Sequence, residues 1–200
     1  ITFSKADLES LYDEANFEVL VANLFHKNGQ RPHWAFPYDI HRLRNGITVG
    51  VIGITVPYFL FYDLLGWKVA DPWEVLPPLI KQLKKKVDIL ILLSHMGYHF
   101  DVEAACELDG IDIIIGAHTH HLLQNGTRVK GTLIAQAGKF GNYVGQITIS
   151  YDRELNQIVA AEASCVPVAT MKSDEKTGEW SHKLRCEGEH LLQQEVKRRL

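Results

Sequence analysis

Three histidines at the ends of apolar runs are the residues of this chain best placed to do chemistry. Asp88-Ile-Leu-Ile-Leu-Leu93 runs into Ser94-His95-Met96-Gly97, and Ile111-Asp-Ile-Ile-Ile115 runs into Gly116-Ala117-His118-Thr119-His120-His121. Each run has the length and β-branched content of a strand buried on both faces, as parallel strands covered by helices are. In open α/β sheets ligands collect at the carboxyl ends of such strands. A lone histidine after a strand reads as a loop residue. Two strand ends carrying histidine, one of them as His-x-His, point instead to a shared metal centre of neutral imidazoles. The expectation is that His95, His118 and His120 converge at one sheet edge, with the His95 ring within about 10 Å of at least one of the others, because first-shell nitrogens sit about 2 Å from zinc.

The elements that position them follow from the flanking sequence. Ser4 and Asp7, with Leu8, Leu11, Tyr12 and Ala15 at helical spacing, predict a capped N-terminal helix. Residues 17–22 read as a buried strand, and Asn23 at its end is open to two readings, a loop cap or a substrate contact. Asn45-Gly46 between 38–44 and 47–55 is the strongest hairpin signal in the chain. The aromatic stretch Tyr58, Phe59, Phe61, Tyr62 and Trp67 suits packing under a loop better than walling a pocket. Asp71 and Pro72 start a helix to about Lys86, with Val75, Leu79, Leu83 and Val87 as its apolar stripe. Asp101 is placed to cap a short helix through Leu108 with Ala104 and Ala105 packing inward, and His99 reads as structural. Strands at 132–137, 143–151 and 157–168 form an expected antiparallel meander. Residues 172–178 are polar, and 186–200 predict a helix with Leu192, Val196 and Leu200 on one face.

The motif pair Leu93-Ser94-His95-Met96-Gly97 and Gly110-Ile-Asp-Ile-Ile-Ile-Gly116-Ala-His118-Thr-His120 resembles the calcineurin-like metallophosphoesterases, and within them the 5'-nucleotidase branch. That branch continues with a Gln-x-Gly run and a Gly before the next strand, matched here by Gln136-Ala137-Gly138-Lys139-Phe140-Gly141 and Gly145-Gln146-Ile147. Gly50-Val-Ile-Gly53-Ile-Thr55-Val-Pro57 resembles the family strand and turn before the long helix, and Val21-Ala22-Asn23 the strand before it. The likeness runs over about residues 1–168 in the family's order, and its specificity lies in several weak motifs agreeing.

The resemblance implies an α/β fold, a four-layer αββα sandwich incomplete at the N-terminus, with residues 1–170 as the C-terminal two thirds of the metallophosphoesterase domain and 171–200 as a polar linker and helix leading toward a C-terminal domain. It implies a hydrolase of nucleotide catabolism, cleaving nucleotide phosphate esters with two divalent metal ions, manganese, zinc or similar. His95 and His118 would serve one metal and His120 the other. Cleavage of 2',3'-cyclic nucleotides or nucleotide sugars, and a non-catalytic scaffold, are the alternatives. The family's Asp-x-His, Gly-Asp and Asn-His motifs precede the matched region, and the chain contains no Gly-Asp and no Asn-His dipeptide. The resemblance therefore assigns no catalytic acid within these 200 residues, and implies a piece of a longer enzyme with near-background activity on its own. Asp39-Ile40-His41 fits Asp-x-His by letters but lies late, in a polar hairpin-like stretch.

Composition narrows the class. With 200 residues, 46 % of them hydrophobic, the chain can bury one sizeable core. A net charge of −3 without a basic stripe gives no sign of nucleic-acid or membrane-surface binding. The Lys81–Lys86 run reads as a solvated helix end, and no apolar run reaches the roughly 18 residues of a membrane span. The odd trio Cys106, Cys165 and Cys186 reads as reduced thiols and favours the cytoplasm. Asn-Gly turn chemistry accounts for Asn125-Gly126-Thr127 without glycosylation. Composition sets no oligomeric state.

Overall fold

The computed structural model describes residues 5–199, the side chains of 193 and 195–199 excepted. Ser4 and Leu200, and the side chain of Val196, therefore lie outside the described residues. The elements are α1 (Lys5–Asp13), β1 (Val19–Leu20), β2 (Leu24–His26), β3 (Ala35–Phe36), β4 (Tyr38–Arg42), β5 (Thr48–Thr55), α2 (Phe59–Leu64), β6 (Trp67–Val69), α3 (Pro72–Leu83), β7 (Ile89–His95), α4 (Tyr98–Glu107), β8 (Ile113–Gly116), β9 (Thr127–Val129), β10 (Thr132–Ala135), β11 (Tyr143–Asp152), β12 (Gln157–Pro167) and, after a short 3₁₀ turn, α5 (Glu175–Arg199).

A six-stranded mixed sheet in the order β4-β5-β7-β8-β10-β9 forms the centre. β5, β7, β8 and β10 run parallel, and β4 and β9 pair antiparallel at the two edges. Alternation along the strands sorts their side chains onto two faces. Ile52, Ile54, Leu90, Leu92, Ile114 and Ile134 pack against Leu76, Ile80 and Leu83 of α3 and Ala104 and Ala105 of α4. On the opposite face Ile113 and Leu133 meet Ile147, Ile149, Ile158 and Ala161 of β11 and β12. The chain is thus α/β with a central mixed sheet and helices. The second sheet of the expected αββα sandwich is represented, among the described residues, by β11 and β12.

Local sequence explains the ends of these elements. Asp71 accepts the Trp73 amide at 2.9 Å and Pro72 opens α3, while Gly46 at φ 85° closes the β4–β5 hairpin. Gly53 admits the crossing backbone of Leu20, since a Cβ there would stand 1.9 Å from the Leu20 carbonyl oxygen.

Four expectations are corrected. The strand at 17–22 shrinks to Val19–Leu20, with Phe17 69 % exposed. The strand beginning at Thr132 belongs to the main sheet, parallel to β8, and not to a meander. Asp101 is not a cap: α4 begins at Tyr98, and Asp101 lies buried within its first turn. The C-terminal helix starts at Glu175, where Asp174 accepts the Thr177 amide at 2.8 Å, so part of the stretch read as a polar linker is helical.

The chain divides into two compact units, 1–166 and 167–200. The second consists of the 3₁₀ turn and α5, whose Trp180, Leu184, Leu191 and Leu192 are exposed. No helix among the described residues is long and apolar enough to cross a membrane.

Candidate functional site

The ladder itself brings the histidines to one edge. In register, Thr55 of β5 lies beside His95 of β7, and Ser94 lies beside Gly116 of β8. The chain leaves β8 there and reaches His118 two residues later. The His95 and His118 rings end with centroids 5.2 Å apart, edge to face. Burial, and then the nearby His118 and His120, hold the His95 imidazole below its ordinary pKa. That favours the neutral form, the one that binds metal.

The loop carrying His118 and His120 departs from ordinary backbone, with φ 67° at His118 and 56° at His120. Thr119 between them is tied to the neighbouring loop. Its Oγ1 accepts the Tyr98 amide at 3.0 Å, capping α4, and hydrogen-bonds His121 Nδ1 at 2.9 Å. Gly97, at φ 98°, makes room for it, because a Cβ there would come within 2.8 Å of Thr119 Cγ2. From the other side Gln136, just past β10, donates from Nε2 to the Ala117 carbonyl at 2.8 Å and accepts the His121 amide on Oε1. Tyr58, from the loop after β5, hydrogen-bonds His118 Nε2 through its hydroxyl at 3.0 Å. A cavity of about 570 Å³ opens beside His95, His118 and His120, walled mainly by apolar groups such as Ile115, Leu123, Phe140 and Ile147.

Asn23 is fully buried: Nδ2 donates to the Thr55 carbonyl at 2.8 Å and the Ala70 carbonyl at 3.1 Å, and Oδ1 accepts the Thr55 amide at 3.0 Å. Its side-chain amide is engaged by backbone at the strand end that flanks His95, the capping arrangement of the two that the sequence left open. Asp39 and His41 pair with each other at 2.8 Å on the edge strand β4 and do not line the histidine cavity. The aromatic stretch splits. Tyr62 and Trp67 pack inward around Trp34 and Val21, while Tyr58, Phe59 and Phe61 are about half exposed.

Sequence reading singles out the three histidines and takes Ser94 and Thr119 as residues able to orient them through hydrogen bonds; it gives Tyr58 and Gln136 no such part. Tyr58 carries no signal, being 60 residues from its partner. The Gln-x-Gly run did flag Gln136, without saying what it holds.

The donor set decides what this edge can do. Three imidazoles are nitrogen donors suited to a borderline-soft divalent ion. Among the described residues no group of three or more His, Cys, Asp or Glu side chains is arranged to hold a metal. A pair of cations would also need a carboxylate between them to offset their repulsion. The residues present do not fit a dinuclear centre by themselves.

No protein-family model matches the chain. It is similar to the metallophosphoesterase YunD of Bacillus subtilis, 46 % identical over 164 residues that cover 82 % of this chain and 36 % of that protein. A 5'-nucleotidase precursor from Thermus thermophilus superposes with a TM-score of 0.67 at 26 % identity, covering 80 % of this chain and 36 % of that one. The sulfate thiohydrolase SoxB of Thermus thermophilus superposes with a TM-score of 0.73 over 82 % of this chain and 31 % of that one; at 24 % identity it bears on the fold alone. The chain spans between 8 % and 37 % of the length of the curated relatives it matches. Relatives named metallophosphoesterase and 5'-nucleotidase are hydrolases. With its histidine motifs at adjacent strand ends, its mixed sheet and these relatives, the chain belongs to the calcineurin-like metallophosphoesterases of the 5'-nucleotidase family.

Proposed function

We propose that this chain carries the histidine side of a metal-dependent phosphohydrolase acting on nucleotide phosphate esters. The observation that carries the reading is the meeting of His95 and His118, ring centroids 5.2 Å apart, at the carboxyl ends of adjacent parallel strands. In this reading His95, His118 and His120 are nitrogen ligands to divalent ions, and the carboxylates that join two such ions come from outside the described residues. Tyr58 orients the His118 imidazole, as groups hydrogen-bonded to ligating histidines do, while Gln136 and Thr119 fix the loop that carries His118 and His120. The apolar cavity beside them accepts the organic part of the ester.

The test is phosphate release from AMP by the protein in its longest natural reading frame, supplied with manganese or zinc. His118→Ala is expected to lower turnover by more than about 100-fold, the upper end of what loss of a merely orienting group costs. Turnover indifferent to chelator and to His118→Ala would exclude the histidine edge as the reactive centre.

A further inference from the structure

A carboxyl group lies buried beside the histidine loop, with little but the Ser94 hydroxyl to offset its burial. Asp101 is fully inaccessible, and apart from the nearby Ser94 hydroxyl neither Oδ1 nor Oδ2 has a hydrogen-bond partner among the described residues. Burial pushes its pKa up to about 6, the neighbouring Ser94 hydroxyl pulling the other way. Such a group works against the fold, and a neutral side chain of the same size would relieve that cost. Its surroundings suggest what it does instead. Oδ2 occupies the notch that Gly116 leaves at the end of β8: a Cβ on Gly116 would stand 2.2 Å from Oδ2 and 3.1 Å from Gln136 Nε2. The carboxyl and the Gln136 carboxamide therefore flank the same point, just below the Ala117–His121 loop.

We propose that Asp101 is a positioning residue for this loop: lodged in the Gly116 notch, it holds the Gln136 carboxamide in the orientation that receives the His121 amide, and so keeps His118 and His120 at the strand edge. The chemistry is one of complementarity. A carbonyl oxygen accepts and never donates, and a carboxylate is likewise acceptor-only. The Ala117 carbonyl accepts from Nε2 and Oε1 accepts the His121 N–H; the Asp101 carboxylate at the Gly116 notch, without bonding Gln136 directly, makes that side of the carboxamide a place for N–H rather than for oxygen. The substitution Asp101→Asn would introduce an NH₂ group of its own and remove that one-sided preference. Gly116 is required because any side chain would expel the carboxyl. The bearing of this on catalysis rests on the proposed phosphohydrolase reading; the geometric claim does not.

The experiment is amide hydrogen exchange on the 200-residue chain, wild type against Asp101→Asn, with global stability measured alongside. The expected result is exchange at the His121 amide about tenfold faster, the worth of one hydrogen bond of ordinary net strength, while Leu92 and Ile114 in the core exchange no faster. Global stability at pH 7 should be unchanged or higher. Gly116→Ala, if it folds, should loosen the same amide. A merely structural Asp101 would instead speed core and loop amides together. That outcome overturns the proposal, as does unchanged exchange at His121 or failure of Asp101→Asn to fold. Phosphate release is a separate assay, so failure of the functional reading and of this one are told apart.

Discussion

Asn23→Ala separates bracing from substrate contact. The substitution strips one hydrogen-bond partner each from the Thr55 carbonyl, the Ala70 carbonyl and the Thr55 amide, beside a fully buried site. Each buried group left unsatisfied costs about 1–3 kcal/mol, and local relaxation recovers part of that, so about 3–5 kcal/mol is expected overall. Against a typical domain stability of about 5–15 kcal/mol this is a large fraction. For a chain of this size it lowers the midpoint of thermal unfolding by about 6–20 °C. Urea denaturation followed by circular dichroism measures it, with the slope against denaturant checked for constancy. Asn23→Asp keeps the acceptor for the Thr55 amide but loses both donated bonds and buries a charge, so it should be no milder. Because Thr55 is the cross-strand partner of His95, exchange of the amides at that strand end should rise as well. An Asn23→Ala chain within about 1 kcal/mol of wild type, yet weakened in nucleotide binding, would refute the bracing argument and restore the substrate contact.

Two further outcomes follow. Asp101, held up to about 6 where an unfolded chain titrates near 3.8, makes folding pH-dependent. Both states hold the proton below about pH 4, the unfolded chain releases it first, and the fold loses about 3 kcal/mol as pH rises through 6; Asp101→Asn should flatten that slope in denaturation curves taken from about pH 4 to about pH 7.5. Thr119→Val removes both the cap on α4 and the bond to His121, and is expected to cost about 1–2 kcal/mol and to shift the His121 ring resonances by NMR.

How much of this was legible depends on the range of the interaction. The runs ending at Leu93 and Ile115 were readable as strands because a parallel sheet covered on both faces leaves an uninterrupted apolar stretch. The Asn45-Gly46 hairpin was readable because the turn needs a residue with positive φ, and Gly46 has φ 85°. Sequence could not say which neighbour β10 would take. The run Leu133-Ile134-Ala135 is as apolar beside β8 as it would be in a meander. Phe17 failed as a strand residue because only Val19 and Leu20 find a partner, in Ala35 and Phe36. That His95, His118 and His120 would lie at one sheet edge was readable because their places after apolar runs are a local signal. Their supports were not, since Tyr58, Asp101 and Gln136 act on the loop across the tertiary fold.

The loop also shows why those supports are needed. A non-glycine residue in the left-handed region costs about 1–2 kcal/mol, and His118 and His120 both carry that cost. Glycine at either position would relieve the backbone and remove the imidazole. The opposing contributions are the two bonds made by Gln136 and the two made by Thr119, each worth about 0.5–1.5 kcal/mol net. The two sums are of the same size, so the loop stands near balance without any one support to spare. Local preference is violated at the two histidines and offset by Gln136, just past β10, and by Thr119 of the loop itself, and backbone strain of this kind is what motivates the proposed role of the loop. Between two histidines in strained backbone, Thr119 therefore acts less as a spacer than as the pin joining both histidine motifs, one through Tyr98 and the other through His121.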